Sequence, residues 1–262
     1  MRPKVNFLLM DSIPKKILKV NDNLYFNLIR PAEKGPRLVL ENMNEWRVVF
    51  TILELLRRRG YNVDRYGFIN TSFKEIHTIF SESTSMNIIK RDTAAAFEAL
   101  AARSFDLTVK DKDGERVKKD SRLLAWGGDL TTADKIQINE IFYHNIHSNY
   151  IPLRLNPIGE LTRAARKLQA RGRLFGSDIL MYLYTLQGKR AATPAVRKHI
   201  PEAAKAFDLS ARLYERHGDR VREALERGAG ICKNMRVISG FYFKHNDIFF
   251  TFKEKEKSRE RA

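Results

Sequence analysis

SARLYERHGDRVREALERGAGICKNMRVISGFYFKHNDIFFTF, residues 210–252, reads as a helix that runs into a β-hairpin. Arg212, Arg216 and Arg220 recur at the four-residue spacing that lines one face of a helix, and Leu213, Val221, Ala224 and Leu225 lie on the other side. The spacing predicts a helix over 211–227 with one face built for a core and the other for an anion. Gly228 and Gly230 follow it and are expected to stop it. Residues 235–243 and 247–252 then alternate like paired strands around the turn signal His245-Asn246-Asp247. Gly218 is the weak point, since a glycine inside a helix costs about 1 kcal/mol relative to alanine; it marks where the helix bends or begins late.

The rest of the chain supplies the charge that such a face needs. Its 262 residues carry a formal net charge of +17, the balance expected of a partner for polyanions. The charge is uneven: residues 1–150 carry +5 and residues 151–262 carry +12, so the second part should dominate contact with phosphate. A membrane surface would attract the same charge, but no apolar run approaches the roughly 18 residues that span a bilayer, and no lipidation motif is present. The segment MRPKVNFLLMDSIPKK is too short in its apolar stretch for a signal peptide, which leads to the expectation of a cytoplasmic, nucleoid- or plasmid-associated protein. The single cysteine, Cys232, excludes an intrachain disulfide and a thiolate zinc site and reads as a small packed residue.

Upstream, the same sequence of elements is predicted once more. An amphipathic helix over 43–59 repeats Trp46, Val49, Phe50, Leu53 and Leu56, and ends in Arg57, Arg58 and Arg59 before Gly60. A short helix over 73–80 is capped by Thr71 or Ser72, with Glu75 placed as in a capping box. A third helix over 86–103 turns Ile89, Ala96, Phe97 and Leu100 inward and leaves Asn87, Lys90, Arg91 and Arg103 outside. Residues 105–110 and 122–126 read as strands around a charged tip at 110–120, and a further strand spans 135–142. After a connection at 150–157, helices are predicted over 161–168 and 177–186. Thr193-Pro194 is placed to open another that ends near Phe207. Three helices and a hairpin wing thus occur twice, and a helix followed by a hairpin is the end of a winged-helix module. The expected fold class is α+β: two tandem winged-helix domains, each a three-helix core with a β-hairpin wing, over 1–150 and 151–262 with a short charged tail.

The order of elements, the phrase Ser12-Ile13-Pro14-Lys15-Lys16-Ile17-Leu18, the stretch Ile136-Gln137-Ile138-Asn139-Glu140-Ile141-Phe142 and the region 209–230 resemble plasmid replication initiators with tandem winged-helix domains. The likeness covers about residues 12–252 and rests on hydrophobic patterns and helix boundaries. It implies binding to repeated origin sequences, the iterons, in double-stranded DNA, then origin melting and recruitment of the host replication initiator and replicative helicase. It also implies that the second domain is the principal base reader. The first would contact DNA more weakly and take part in dimerisation, a homodimer being an inactive or repressor form.

The residues make their own case for DNA. An α-helix fits the major groove, and arginine donates two hydrogen bonds to guanine O6 and N7. The N-terminal part of a recognition helix enters deepest, which favours Arg212, Arg216 and Arg220 over Arg227, with Tyr214 and His217 adding phosphate or thymine-methyl contacts. The competing reading is a solvated face in which Glu215, Asp219 and Glu223 pair with these arginines. Lys233, Arg236, Lys244 and His245 are assigned to the second wing, facing backbone or minor groove; Asn87, Lys90 and Arg91 are the contacts expected of the first domain. Arg163, Arg166, Lys167, Arg171 and Arg173 form the densest basic run, for which a solvated helix face is the ordinary explanation.

Catalysis finds no support in the motifs. His144-Asn145-Ile146-His147 has two residues between its histidines rather than the one a nicking metal site uses, and GxxxxGK[ST] is absent. No ordered match to a tyrosine recombinase is present. The expectation is a non-enzymatic protein without metal or cofactor. A winged-helix transcriptional regulator or autorepressor is the alternative, and a nicking or recombining enzyme stands behind it.

Overall fold

A computed structural model describes residues 17–29, 38–81, 86–111, 114–126, 135–168, 173–191, 194–209 and 216–252, a mixed α+β arrangement. It begins with a strap. β1 (Ile17–Asn21) pairs antiparallel with β7 (Tyr150–Arg154), setting Leu18 against Leu153 and Val20 against Ile151. Lys19 is buried on the same strand, its Nζ 5.2 Å from the Tyr61 ring centre and 4.6 Å from that of Tyr150. The stretch expected as a bare connection at 150–157 is therefore largely a strand, and its pairing partner lies some 130 residues away in sequence, which no local pattern reveals. α1 (Asp22–Ile29) follows, and its Tyr25 hydroxyl donates to the Leu183 carbonyl of the second half.

The first half proper starts with α2 (Met43–Arg58), whose N-terminus is capped by the Asn42 side chain accepting from the Asn44 and Glu45 amides. Trp46, Val49, Phe50, Leu53 and Leu56 are buried along it, as their spacing predicts. Then come β2 (Phe68–Asn70), α3 (Phe73–Ser81) and α4 (Met86–Ala102). The Ser72 hydroxyl accepts from the Glu75 amide at 3.2 Å, as expected of a cap. β5 (Leu124–Trp126) and β6 (Lys135–Ile138) complete an antiparallel sheet in the order β2-β6-β5.

Between α4 and β5 lies a feature that corrects the expected wing. β3 (Ser104–Asp111) pairs with β4 (Gly114–Arg122) as a separate two-stranded ribbon, and the sheet's own hairpin is β5–β6. Nearly every residue of β4, GERVKKDSR, is exposed, so it carries none of the apolar alternation that marks a half-buried strand. The strand expected over 135–142 also ends early, at Ile138; Asn139 caps a single 3-10 turn, Glu140–Phe142, through its side chain and the Ile141 amide.

The second half comprises α5 (Pro157–Arg166), α6 (Gly176–Arg190), β8 (Ala195–His199), α7 (Ile200–Ala206), α8 (Gly218–Asn234), β9 (Gly240–Lys244) and β10 (Asp247–Thr251). Its sheet order is β8-β10-β9. Pro194 precedes a strand rather than opening a helix; the proline in the first turn of α7 is Pro201, where its missing N–H costs nothing. Thr193 lies outside the described residues.

α8 departs from expectation at both ends. It starts at Gly218, after a non-helical His217 (φ −147°, ψ 59°), instead of near residue 211. It then runs through Gly228 and Gly230, which act as contact points rather than a stop. A Cβ on Gly228 would lie 2.9 Å from Met181 Sδ, and one on Gly230 would lie 3.0 Å from Leu168 Cδ1, so the missing side chains let α6 and the end of α5 close on the helix. The stop comes at Arg236, held at φ +59°, with the Val237 amide donating to the Cys232 carbonyl at 3.0 Å and the Arg236 amide to that of Lys233 at 2.9 Å. The first hairpin strand accordingly begins at Gly240, not 235.

Among the described residues, helix–strand–helix–helix–strand–strand with the sheet ordered first–third–second occurs twice, the first copy carrying the β3–β4 ribbon between its last helix and its last two strands. The two copies share one continuous core, and the 150/151 junction falls at the start of β7. Among the described residues, no helix is long and apolar enough to cross a membrane.

Candidate nucleic-acid interface

α8 divides as a two-faced helix should. Val221, Leu225, Ala229, Ile231 and Cys232 are buried, while Asp219, Arg220, Arg222, Glu223 and Glu226 are exposed. Arg216 and His217 are exposed just ahead of it. The break at His217 means that Arg216 and Arg220 do not lie along one uninterrupted helix, so the predicted 212/216/220 stripe is not a single helical face. Gly218 sits over open space as the first residue of the helix. Arg212 and Tyr214 lie outside the described residues. Of the acids that the competing reading pairs with these arginines, Glu215 lies outside the described residues; among the described residues no ion pair joins Arg216 or Arg220 to Asp219 or Glu223, and both arginines are exposed.

Arg222, which the periodic count passed over, lies with its Cζ 4.6 Å from the Phe243 ring centre and links the exposed side of α8 to the hairpin. A helix register begun at Gly218 rather than 211 would have drawn attention to it. Arg227 is taken up by the fold. Its Nη2 donates to both Asp178 oxygens at 2.8 Å, and its Cζ stands 4.2 Å from the Phe175 ring centre. Asp178 is 1% exposed; burial pushes its carboxyl above the usual range, against the pull of Arg227.

Of the four residues assigned to the second wing, Lys244 and His245 are there, exposed at the hairpin tip with His245 at φ +53°. Lys233 and Arg236 are not; they are exposed at the C-terminal turn of α8, because the helix extends past the two glycines. On the outer face of this sheet Tyr242 stacks on Phe249, centroids 4.8 Å apart and planes 4° apart. Asp247 accepts from Arg197 at 2.8 Å and contacts His199 Nδ1 at 3.2 Å; desolvation pushes its carboxyl up, but the His199 and Arg197 contacts together hold it below the usual range.

The first half uses its arginines differently. Arg103, expected outside, binds both oxygens of the buried Glu45 at 2.9 and 3.0 Å and donates to the Val39 carbonyl at 2.5 Å. Arg57 and Arg58 fold back onto Glu54 at 2.7 and 2.9 Å, and Arg59 reaches Glu75 at 2.6 Å. Asn87, Lys90 and Arg91 belong to the first turns of α4; their side chains lie outside the described residues.

The remaining candidates resolve into structure or surface. His144 and His147 are exposed, His147 meeting Tyr61 edge-on with centroids 6.3 Å apart. Among the described residues no three His, Cys, Asp or Glu side chains gather as a metal site. Cys232 is fully buried, and burial pushes its thiol up to about 12, which leaves no thiolate for chemistry near neutrality. Arg163, Arg166, Lys167 and Arg173 are exposed, and Arg171 lies outside the described residues. Compared with protein-family models, curated proteins and solved structures, the chain finds no match.

Proposed function

We propose that the chain is a plasmid replication initiator built from two tandem winged-helix domains that bind repeated origin sequences in double-stranded DNA. The observation that carries this reading is the doubled element order, helix–strand–helix–helix–strand–strand with a first–third–second sheet, in a chain of net charge +17. That order is the topology of a winged helix, and α4 and α8 occupy the recognition-helix position of their copies. The second domain reads bases through the start of α8, where Arg220, Arg216 and His217 are exposed, and its hairpin tip sets Lys244 and His245 against the backbone. The first domain adds a weaker contact through α4. Binding energy alone strains the neighbouring A·T-rich segment, since bending a site costs of order 1–6 kcal/mol, and host initiator and helicase assemble on the opened origin. A homodimer through the first domain is the inactive or repressor form. The reading gives the chain no catalytic step, metal or cofactor.

Footprinting on the DNA that flanks the gene tests the proposal. Tandem direct repeats beside an A·T-rich tract are the expected result; one short palindrome over a promoter would make the protein a regulator instead. Nicked circles or a covalent adduct from supercoiled DNA with divalent metal would overturn the non-enzymatic reading.

A further inference from the structure

The densest basic run of the sequence reaches its neighbours across the junction of the two halves. A groove of about 810 Å³ lies between α2 and α5, with Arg47 of α2, Asn156, Arg163 and Arg166 at and along α5, and Arg173 in its wall. Four arginines contribute to its wall, and no carboxylate does. On α5, Glu160 pairs with Arg163 and lies 3.3 Å from Arg154, while Arg166 and Arg173 are exposed. Arg47 is positioned from the first half by its Nη1 donating to Asn44 Oδ1 at 2.9 Å. A solvated helix face mixes its signs; this concave surface collects one sign from separate segments, which is the arrangement that concentrates field and attracts an anion.

The walls are also stiff. The Asn234 side chain of α8 donates to the Ala164 carbonyl of α5 at 3.2 Å, and the Asn156 side chain caps α5 at the Gly159 amide at 3.0 Å. Three of the four guanidinium groups, those of Arg47, Arg163 and Arg166, are carried on packed helices, and Arg173 stands just ahead of α6; guanidinium groups suit phosphate, whose oxygens accept paired N–H donors.

We propose that this groove is a backbone-phosphate seat for double-stranded DNA, shared by both halves and separate from α8 and the hairpin. The proposal rests on the DNA-binding reading above. The seat contributes affinity and salt dependence but no base selectivity, because phosphate contacts position and base contacts specify.

The test measures duplex affinity against salt concentration for the full chain, the double variant Arg166→Ala/Arg173→Ala, and the charge-keeping Arg166→Lys/Arg173→Lys. Each lost phosphate contact should lower the magnitude of the log–log slope by about 0.9, so the alanine variant should be shallower by about 2 with its preference between DNA sequences intact. The lysine variant should keep most of the slope. An alanine variant with the parental slope, on a protein whose circular dichroism is unchanged, overturns the seat while leaving the DNA-binding reading standing. A parent that binds no duplex overturns both, and a changed sequence preference overturns the assignment to backbone.

Discussion

The two halves of this protein repeat one element order but dispose of their arginines in opposite ways. In the first half, Arg57 and Arg58 close on Glu54, Arg59 on Glu75 and Arg103 on Glu45. In the second, Arg227 pairs with the buried Asp178 and Arg197 with Asp247, while Arg166, Arg173, Arg216 and Arg220 face solvent. The +5 and +12 of the two sequence segments already count these carboxylates, so what the pairing adds is where the cations stand, not how many are in excess. A shared topology therefore does not imply a shared surface. Where a carboxylate stands within reach the arginine is a strut, and where none does it is available to an anion.

The largest test of the contrast is to remove a strut from each half. Arg103→Ala strands Glu45 and Arg227→Ala strands Asp178, both 1% exposed. Breaking a buried pair from one side costs about 3–5 kcal/mol. Asp178 should fall at the lower end, since its carboxyl is already displaced toward protonation. Urea midpoints measure both, and a loss below about 1 kcal/mol in either would place that pair with ordinary surface bridges.

Arg220→Ala removes an arginine with no internal duty. It should leave stability unchanged, cost about 1–3 kcal/mol of DNA affinity and relax selectivity at one base pair. A uniform loss over all sequences would make Arg220 a phosphate contact. Lys90→Ala in the first half should give that uniform loss, with a salt slope shallower by about 1.

Within α8, two glycines separate packing from propensity. Gly218→Ala enters open space and should raise stability by up to about 1 kcal/mol. Gly228→Ala gains the same propensity but meets Met181 Sδ at 2.9 Å, and overpacking of about 1–3 kcal/mol leaves a net loss. Melting temperatures moving in the same direction for both would show that Met181 yields freely.

The smallest effect is in pH dependence. For Glu54, desolvation raises the pKa, but Arg57 and Arg58 outweigh it and the net shift is downward. A depressed carboxyl stabilises the fold above its unfolded pKa, and that contribution is lost as pH falls through the folded value. Glu54→Gln should therefore be less stable than the parent at neutral pH, with the gap closing below the ordinary carboxylate range. Asp178 is raised, so the parent loses stability as pH rises from the ordinary carboxylate range through the higher folded pKa of Asp178, and Asp178→Asn should improve relative to the parent in the same direction. Parallel pH profiles for the two variants would contradict the opposite signs.

Legible in the amino acids alone were the helices α2, α3 and α4 of the first half and the sign of the net charge. α2 follows its apolar spacing almost to the residue, and α3 starts where Ser72 caps it, because these elements are specified by neighbours three or four positions apart. The rest depended on contacts between segments far apart in the chain. Gly228 and Gly230 look like a stop until Met181 and Leu168 are seen against them, and β4 shows no alternation because its partner is β3 rather than a core. The pairing of β1 with β7 joins segments that share no local signal. The arginines divide in the same way: Arg57 and Arg58 stand three and four residues from Glu54 on one helix, a spacing the chain itself sets, whereas Arg103 reaches Glu45 and Arg227 reaches Asp178 only because packing brings distant segments within about 3 Å.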